Sequence, residues 1–258
     1  MSVDLYAVKR AARSVAGRLP LLVLTGAGIS VESGVPPFRG PDGLWSRYDP
    51  DLYGHIDTFR REPELSWKLL DDIIRTSLGA RPNMAHLSLA RMESLGLIGL
   101  VATQNVDGLH TMAGSREVVE LHGNARRIYC PSCGSREFLT PDSYPSFERR
   151  CRCGAYKRPD IVFFGENLSQ SSMVRAFEAA GSGMPLLIIG TSGMVHPAAM
   201  LPHISGSSGS TIIEINPEPS EHSLTVADHF IRARAAEAVP ALEKALKDIV
   251  GDGPVQSP

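Results

Sequence analysis

The chain has 258 residues and a formal net charge of −2, and a chain of this length can bury one large core with room for a small insertion. The near-neutral charge excludes a general electrostatic attraction to nucleic acid or to an anionic membrane. Residues 1–10 lack the apolar core of a signal peptide, and no apolar run approaches the ~18 residues that span a membrane. We therefore expect a cytoplasmic protein without membrane contact.

Helical and strand-like patterns alternate along the chain. Apolar residues at helical spacing predict helices over residues 3–18, 63–78, 84–95, 171–180 and 235–249. Continuous apolar runs of strand length lie at 21–24, 97–101, 161–164, 186–189 and 211–215. Such runs between helical patterns indicate a parallel sheet that is buried on both faces. The predicted fold class is α/β, with a doubly wound parallel sheet.

Three further segments lack periodicity. Residues 38–59 are rich in Gly, Pro and Asp, which predicts a mobile loop beside the site. Residues 206–210 predict a flexible turn, and residues 251–258 a disordered tail. The sequence contains no internal repeat and no linker long enough to separate two independent domains.

Each apolar run ends in a loop that is polar or contains glycine. These loops are 25–30, 103–110, 165–167, 190–192 and the single residue Asn216. Because ligands of doubly wound sheets bind outside the carboxyl ends of the strands, we expect all five loops to converge on one crevice. The loop 103–110 is the most informative, since a buried strand opens there directly into amide, carboxylate and imidazole side chains. Taken alone, His110 and His122 are more often structural turn residues than site residues.

The first loop contains a G-x-G sequence. Gly26 and Gly28 bracket Ala27 directly after the first strand, which allows a tight turn where backbone N–H groups approach a pyrophosphate. Val31 stands where the dinucleotide fingerprint has its third glycine, and no acidic residue closes a second strand about 20 residues later. The motif alone is therefore weak evidence for nucleotide binding.

All four cysteines lie in one window, as Cys130 with Cys133 and Cys151 with Cys153. Two close pairs predict a zinc site in which four thiolates complete a tetrahedron. Because no coordination position is left for water, the zinc should be structural. Two disulfides or free thiols are the alternative, which is less common in a cytosolic chain.

The same window is basic, with eight Lys or Arg residues against three acidic residues between positions 123 and 158. A zinc ribbon with this charge could touch nucleic acid. A solvated basic face is the more common interpretation, because the window has no ladder of aromatic residues for base stacking.

In their order along the chain, these motifs resemble those of the sirtuins, in particular prokaryotic members. The resemblance covers about residues 5 to 248. It is carried by 26–30, 33–40, 43–45, 103–110, 121–123, the cysteine pairs, 159–166, 190–192 and 215–216. The departures are the C-x-C pair, Val35 and Val106 where Ile is commoner, and Ala233 where glycine is usual. None of them removes a side chain that the family's chemistry requires.

The resemblance implies NAD-dependent removal of acyl groups from protein lysines, with transfer of the acyl group to ADP-ribose and release of nicotinamide. It implies a Rossmann-like NAD-binding domain with a small inserted zinc-binding and helical module. The expected division is 1–37, 84–122 and 159–250 for the NAD-binding domain, 38–83 for the cofactor loop and helical insertion, and 123–158 for the zinc-binding insertion. NAD is the co-substrate, Zn²⁺ is structural, acyl-lysine proteins are the partners, and the chain is expected to be a monomer.

The resemblance also assigns the cofactor and catalytic residues. The expected NAD contacts are Gly26, Ala27, Gly28, Ile29, Ser30, Val31, Phe38, Arg39, Gln104, Asn105, Val106, Asp107, His122, Gly190, Thr191, Ser192, Asn216 and Ala235. Among them, the catalytic residues are Gln104, which holds ribose hydroxyls, Asn105, which lines the nicotinamide pocket with Asp107, and His122, which acts as the base. Phe38 covers the nicotinamide ribose and Arg39 meets phosphate, whereas Asn216 lies against the adenosine ribose.

The expected substrate residues are Val162, Phe163, Phe164, Gly165, Glu166 and Val195. The Val162 carbonyl would accept the N–H of the acyl-lysine, and Phe164 would wall the lysine tunnel. The substrate backbone would pair by strand addition between the 165–166 loop and the 195–197 loop.

Other functions stay open on the sequence alone. The same NAD site could serve an ADP-ribosyltransferase or an NAD glycohydrolase, and a non-enzymatic NAD-sensing zinc module is a third possible function.

Members of the family that remove succinyl groups carry a Tyr and an Arg where Leu70 and Ile73 align in this chain. Acetyl-lysine is therefore the expected substrate, although Arg75 lies close enough to serve as an anchor if the alignment is off by a turn.

Overall fold

The computed structural model describes residues 3–40 and 43–251. Its strands are β1 (Leu21–Thr25), β2 (Ile98–Thr103), β3 (Val118–Glu120), β4 (Gly123–Tyr129), β5 (Arg136–Phe138), β6 (Arg158–Ile161), β7 (Leu186–Ile189), β8 (Ile212–Asn216) and β9 (His229–Arg232). Its α-helices are α1 (Leu5–Val15), α2 (Pro50–Tyr53), α3 (Ile56–Arg61), α4 (Pro63–Gly79), α5 (Met84–Ser94), α6 (Leu109–Ala113), α7 (Gln170–Gly181), α8 (Leu201–Ser207), α9 (Glu221–Thr225) and α10 (Ala235–Val250). Among the described residues, no helix combines the length and apolar character needed to cross a membrane.

The main sheet has six parallel strands in the order β3-β2-β1-β7-β8-β9. Alternate residues of β1 pack to opposite sides, so that Leu21 and Val23 join a core with α1, α5 and α10. Leu22 and Leu24 join a second core with α7 and α8 on the other face. A strand covered on both sides needs apolar residues at every position, which explains the continuous runs. The predicted doubly wound α/β fold is confirmed.

A smaller sheet has the order β5-β4-β6 and is antiparallel. Its apolar face, with Ala125 and Ile128, shares a core with Trp67 and Ile74 of α4. The predicted small module beside the main sheet is therefore present, and it joins the helical segment to the cysteine-bearing segment.

The prediction that 161–164 is a strand of the main sheet is wrong. Residues up to Ile161 form β6 of the small sheet, and the chain then passes His122, whose carbonyl accepts from Val162 N at 3.0 Å. Phe163 is buried in the core of the small module, whereas Phe164 is 42% exposed. The apolar run 161–164 therefore does not form one buried strand, because Phe163 packs into the core of the small module and Phe164 lies on the surface.

The prediction of an aperiodic loop over 38–59 is wrong in part, because the segment contains α2 and most of α3. Asp49 and His55 cap these helices by accepting from Asp51 N and Asp57 N. Helices of one or two turns are too short to produce a visible period. Of the predicted loop, residues 41–42 lie outside the described part of the chain.

Two other predicted boundaries also change. The flexible turn predicted at 206–210 is shortened, because Gly206 and Ser207 still belong to α8. Of the predicted tail, residues 252–258 lie outside the described residues, while Gly251 caps α10.

Candidate active site

The loops after β1 and β7 pack against each other through glycine. Gly28 N donates to the Gly190 carbonyl at 2.8 Å, and Gly26 N donates to the Ile189 carbonyl at 3.0 Å. A Cβ atom on Gly28 would lie 2.6 Å from Gly190 Cα, and Gly190 has a φ of +61°. The glycines are therefore required by loop-to-loop contact, a reason that the G-x-G pattern did not reveal.

Thr191 joins the loops after β2, β7 and β8. The Gln104 side chain donates from Nε2 to Thr191 Oγ1 at 3.0 Å, and Asn216 donates from Nδ2 to the Thr191 carbonyl at 3.0 Å. Four of the five predicted loops thus meet at the carboxyl edge of the sheet. The fifth, 165–167, does not follow a strand of this sheet, but the bond between His122 and Val162 brings its chain to the same place.

A buried hydrogen-bond network lies under the loop that follows β2. Asn105 donates from Nδ2 to the Gly26 carbonyl at 3.0 Å and to Ser30 Oγ at 3.1 Å. Ser30 Oγ donates to Asp107 Oδ2 at 2.7 Å, and Leu109 N donates to Oδ1 at 2.9 Å. Burial raises the pKa of Asp107, although these two hydrogen bonds act in the opposite direction. The network fixes the positions of Asn105 and Asp107.

His86 and His110 belong to the interior of this network. Their rings are 5.0 Å apart, and His110 Nε2 lies 2.9 Å from Thr25 Oγ1. Burial lowers the pKa of His86 to about 4 and places that of His110 well below its ordinary value. Both rings are therefore neutral at neutral pH, and His110 has the structural role that a lone histidine most often has.

His122 lies in a different environment, at the mouth of the crevice. Its Nδ1 atom is 2.9 Å from the Gln104 carbonyl. Because a carbonyl can only accept, Nδ1 must carry the proton, and Nε2 is left as the basic nitrogen. Burial lowers the pKa of His122, and the bond to Gln104 opposes this shift only in part. The imidazole is thus neutral near neutral pH and can accept a proton.

Gly123 makes this position of His122 possible. Its φ is +83°, and a Cβ atom there would lie 1.9 Å from the Asp160 carbonyl oxygen. Only glycine allows β4 to approach β6 this closely. The sequence Leu121-His122-Gly123 is therefore a local requirement for the strand pairing that places His122 beside Val162.

A pocket opens next to Asn105 and Asp107. It is lined by Ala27, Val35, Pro36, Phe38, Leu44, Ile73, Thr76, Ser77, Asn105, Val106 and Asp107. The lining is mostly apolar, with the amide of Asn105 and the carboxyl group of Asp107 among it, an arrangement typical of a ligand pocket.

Aromatic side chains form one wall near the pocket. The ring centroids of Phe38 and Trp45 are 5.3 Å apart, and those of Trp45 and Phe164 are 5.8 Å apart. The sequence interpretation gave Trp45 no role, although the aromatic wall depends on it. Arg39 beside this wall is exposed and has no hydrogen-bond or ion-pair partner among residues 3–40 and 43–251.

The other predicted cofactor residues differ in whether their side chain or only their backbone is accessible to a ligand. The side chain of Ile29 is fully buried in the core, so only its backbone can face a ligand, whereas Val31 is exposed. Ser192 is exposed at the crevice edge. Ala235 begins α10, where Ala236 N donates to Glu32 at 2.9 Å and ties this helix to the first loop.

The predicted substrate residues surround the 162–166 segment. Phe164 is paired through its backbone with Gly54 and Ile56, at 2.9 and 3.0 Å. Gly165 has a φ of +83° and lies against the His55 ring. Val195 is half-buried in the facing loop.

Glu166 is held by Arg158, a buried residue that the sequence interpretation missed. Both carboxylate oxygens accept from the Arg158 guanidinium at 2.7 Å, and one also accepts from Phe163 N at 3.0 Å. Burial raises the pKa of Glu166, but the hydrogen bonds from Arg158 and Phe163 N together with the positive charge of Arg158 outweigh it and hold the pKa below its ordinary value. The side chain thus supports the loop, and only the backbone near Glu166 is left to meet a substrate.

The four cysteines converge as a metal site would require. Their Sγ atoms all lie within 4.8 Å of one another, with Cys130 to Cys153 and Cys133 to Cys151 at 3.5 Å. Tetrahedral zinc with Zn–S bonds of about 2.3 Å needs sulfur atoms about 3.8 Å apart, whereas a disulfide needs about 2.05 Å. All four are free thiols. The donor set fits structural Zn²⁺ and does not fit the disulfide alternative.

Part of the basic charge of this window is compensated by acidic residues from outside it. Arg149 pairs with Glu64 and Asp71 of α4, Arg127 with Glu120, and Arg158 with Glu166. Arg136, Arg150 and Arg152 are exposed without an ion-pair partner among the described residues, and a solvated basic face remains the interpretation of this surface.

Comparisons with known proteins agree on one family. The model of the Sir2 family matches residues 26–197. An NAD-dependent protein deacylase of Aeropyrum pernix is 46% identical over 246 residues, which cover 93% of this chain and 98% of that protein.

Two solved structures agree with this match. A Sir2 homologue in complex with ADP ribose has a TM-score of 0.87 at 36% identity, covering 96% of this chain and 99% of that one. A Sir2 structure with a deacetylated p53 peptide and 3'-O-acetyl ADP ribose has a TM-score of 0.83 at 32% identity, covering 97% and 99%.

Proposed function

The chain belongs to the Sir2 family, and we propose from this that it is an NAD-dependent protein-lysine deacetylase. It would transfer the acyl group to ADP-ribose and release nicotinamide. The observation that carries the proposal is His122, whose protonated Nδ1 is held by the Gln104 carbonyl while Nε2 is left as a base. A module that only sensed NAD would have no need of such a base.

In this proposal NAD lies along the carboxyl edge of the main sheet. The pocket beside Asn105 and Asp107 takes the nicotinamide, whose carboxamide is turned out of the plane of the ring and so weakens the glycosidic bond. Phe38 covers the nicotinamide ribose, and the exposed Arg39 meets a phosphate. Gln104 holds ribose hydroxyls, and Asn216 holds the adenosine ribose.

The remaining predicted cofactor contacts surround these groups. Residues 26–31 and Gly190, Thr191 and Ser192 lie against the phosphates and ribose. Val106 lines the nicotinamide pocket, and the backbone of Ala235 faces the adenine.

The acyl-lysine enters next to the 162–166 segment. The Val162 carbonyl accepts the N–H of the acyl-lysine, and Phe164 borders the tunnel. The Phe163 side chain is buried in the small module, so this residue can meet the substrate only through its backbone. The substrate backbone pairs with Gly165 and Glu166 on one side and with Val195 on the other.

The chemistry proceeds in two steps. The acyl oxygen attacks the anomeric carbon of the ribose, and nicotinamide leaves with the bonding electron pair. His122 Nε2 then takes a proton from a ribose hydroxyl, so that the 2' oxygen attacks the amidate carbon. After water enters, the products are the deacylated lysine and O-acyl-ADP-ribose.

Zinc has no part in these steps in our proposal. Cys130, Cys133, Cys151 and Cys153 would hold it as a structural ion, which stabilises a region with little core of its own. We also propose the division into an NAD-binding domain (1–37, 84–122 and 159–250) with insertions at 38–83 and 123–158, a monomeric state and a cytoplasmic location.

One assay tests the proposal. The full chain is incubated with NAD and an acetylated peptide, and the products are identified by mass. We expect nicotinamide, deacetylated peptide and O-acetyl-ADP-ribose in equal amounts. Free ADP-ribose with an unchanged peptide would indicate a glycohydrolase, a peptide carrying ADP-ribose would indicate a transferase, and either result would contradict the proposal.

A further inference from the structure

The 162–166 segment, beside which the proposed function places the substrate, has one edge with free backbone groups. Phe164 N donates to the Gly54 carbonyl at 2.9 Å, and the Phe164 carbonyl accepts from Ile56 N at 3.0 Å. The next residue, Gly165, is exposed, and within residues 3–40 and 43–251 its N–H and C=O groups have no partner. A substrate strand can therefore pair with Gly165 on the side opposite to Gly54 and Ile56.

The ring of His55 occupies the place that a side chain at position 165 would take. Gly165 has a φ of +83°, and a Cβ atom there would lie 2.7 Å from His55 Nε2 and 2.8 Å from His55 Cε1. These two atoms form the outer end of the imidazole. Glycine at position 165 thus admits the ring, and the outer end of the ring lies next to the free edge of the segment.

The hydrogen bonds of His55 show which nitrogen carries the proton. Nδ1 accepts from Asp57 N at 3.2 Å. Because a backbone N–H can only donate, Nδ1 must offer a lone pair, and the proton of the neutral ring is on Nε2. Among the described residues no acceptor is bonded to Nε2, and the side chain is 34% exposed. The substrate edge therefore has a free N–H donor in a fixed position.

This donor lies within reach of a substrate side chain. Residues that face each other on neighbouring strands have Cβ atoms about 4.5–5.5 Å apart. Since Nε2 lies beside the Cβ position of residue 165, an oxygen two bonds beyond the Cβ atom of the facing substrate residue can come within hydrogen-bond distance of it. Asn and Asp carry such an oxygen. An aliphatic side chain would cover the N–H and leave it without an acceptor, which is unfavourable.

The charges around His55 are paired with one another. Asp57 Oδ2 lies 3.7 Å from Nδ1, and Arg60 pairs with Asp57 at 3.2 Å. Arg158 and Glu166 form a second pair at 2.7 Å. Because both pairs are neutral as a whole, recognition at this position should depend on an acceptor oxygen and not on the charge that carries it.

We infer that His55 is a specificity-determining residue which, in the side-chain place that Gly165 leaves empty, selects substrates with an oxygen acceptor on the residue that pairs opposite Gly165. The inference rests on the proposed function, which supplies the substrate strand. It names the substrate class, acyl-lysine segments that carry Asn, Asp or a similar acceptor side chain at one flanking position.

Peptide turnover on the full chain tests the inference. An acetyl-lysine peptide with Leu at three positions on each side is compared with six peptides that carry Asn at one of these positions, since Leu and Asn are similar in shape. We expect kcat/KM to rise by at least about threefold at one position, the scale of one hydrogen bond, and to change little at the others. An equal response at every position would overturn the inference. If none of the peptides were deacetylated, the proposed function would fail, and the inference with it.

His55→Ser separates recognition from folding. Serine is a preferred N-cap and can keep the bond from Asp57 N, but its short side chain cannot extend over Gly165. The gain from Asn should therefore disappear, so that the Asn and Leu peptides have nearly equal kcat/KM. The same substitution at the exposed His203 of α8 is the matched control and should keep the gain. A gain that persists in His55→Ser, even with lower activity on every peptide, would show a structural role and overturn the inference.

The charge of Arg60 is the competing explanation. A peptide with Asp at the responsive position should gain as the Asn peptide does, because a carboxylate also offers acceptor oxygens. Both gains should persist in Arg60→Gln. A gain with Asp but none with Asn, abolished in Arg60→Gln, would assign the selection to Arg60 and overturn the inference.

Discussion

The location of the proton on His122 decides whether this imidazole can act as a base. The bond from Nδ1 to the Gln104 carbonyl fixes the tautomer, and burial keeps the ring neutral. The sequence could place His122 at a site by its motif, but not its tautomer. That depends on a carbonyl eighteen residues away in the chain.

The lowered pKa of His122 predicts a pH profile. Because the base acts in its neutral form, activity should fall as the pH drops through the pKa of His122, and burial places this pKa below the usual value of about 6.5. We therefore expect the acid limb of kcat/KM to have its midpoint below pH 6.5. Measurement of kcat/KM between pH 5 and 8 checks this, and a midpoint above 6.5 would exclude His122 in this environment as the base.

The acyl preference is also set by individual residues. Leu70 and Ile73 are both buried in the core of the small module, and neither side chain can pair with a carboxylate. The guanidinium of Arg75 lies over the Tyr144 ring, 5.3 Å from the centroid. The sequence alone had left Arg75 as a second possible anchor, and this contact now argues against it.

We therefore expect acetyl-lysine to be favoured over succinyl-lysine by at least about tenfold in kcat/KM, because burying an unpaired carboxylate is costly. Both peptides are measured side by side on wild-type protein and on Arg75→Ala. Equal or better efficiency on the succinylated peptide that is lost in Arg75→Ala would identify Arg75 as the missed anchor and refute the expectation.

Among the elements, the regular ones could be predicted and the short ones could not. The continuous apolar runs of β1, β7 and β8 follow from burial on both faces, and those strands are where the pattern placed them. β3 has only three residues, and β9 begins with His229 and ends with Arg232, so neither strand forms a continuous apolar run. The run 161–164 was assigned to the wrong sheet because periodicity cannot show which core a buried side chain joins.

The zinc-bearing segment and α4 depend on each other. Arg149 reaches Asp71, the Tyr144 hydroxyl donates to Asp71 at 2.6 Å, and Phe147 packs on Trp67 with ring centroids 5.6 Å apart. The other side of α4 lines the pocket through Ile73, Thr76 and Ser77. Loss of the metal should therefore also disturb the pocket, because α4 contacts both the cysteine-bearing segment and the pocket.

Cys130→Ser or Cys151→Ser should lose about one zinc per chain and unfold the small module, because structural zinc contributes folding energy outright. Activity should be lost as a consequence. Metal analysis and hydrogen exchange across β4, β5 and α4 check this. Ser132→Ala, between the first two cysteines, is the control and should keep its zinc. Fully active protein without zinc would refute the prediction.

Over the whole molecule, ion pairs between residues far apart in the chain compensate part of the surface charge. Three basic residues of the 123–158 window have acidic partners outside it, which the window's own sequence does not show. Arg149 and Asp71 are separated by 78 positions. No local pattern can reveal such a pair. For the same reason the sequence did not predict that Arg158 would hold Glu166, or that Thr191 would accept hydrogen bonds from Gln104 and Asn216.

Buried neutral histidines make stability depend on pH. Burial lowers the pKa of His222 to about 4, with a smaller contribution from His203. The unfolded chain, with a histidine pKa of about 6.5, binds this proton more readily. The contribution of His222 to stability is therefore complete above pH 6.5 and is lost as the pH falls from 6.5 towards 4. Protonation of Asp107, whose pKa burial raises, offsets part of the total loss.

A variant isolates the histidine from the other groups. Between pH 7.5 and pH 5, wild type should lose on the order of 1–2 kcal/mol more unfolding free energy than His222→Met. Urea unfolding at both pH values measures this difference, with the exposed His196→Gln as control. Equal losses in wild type and His222→Met would show that His222 is not held neutral by burial.

If His122 is the base of an NAD-dependent deacylation, its removal should stop one chemical step and spare the other, and a His122→Ala variant of the full chain separates the two. O-acetyl-ADP-ribose formation is measured by mass, and the exchange of labelled nicotinamide into NAD is measured in the same protein, with exposed His203→Ala as control. We expect at least about a hundredfold loss of O-acetyl-ADP-ribose formation, the usual scale for removing a general base, while nicotinamide exchange and the fold persist. Turnover close to wild type in a folded His122→Ala protein would contradict it.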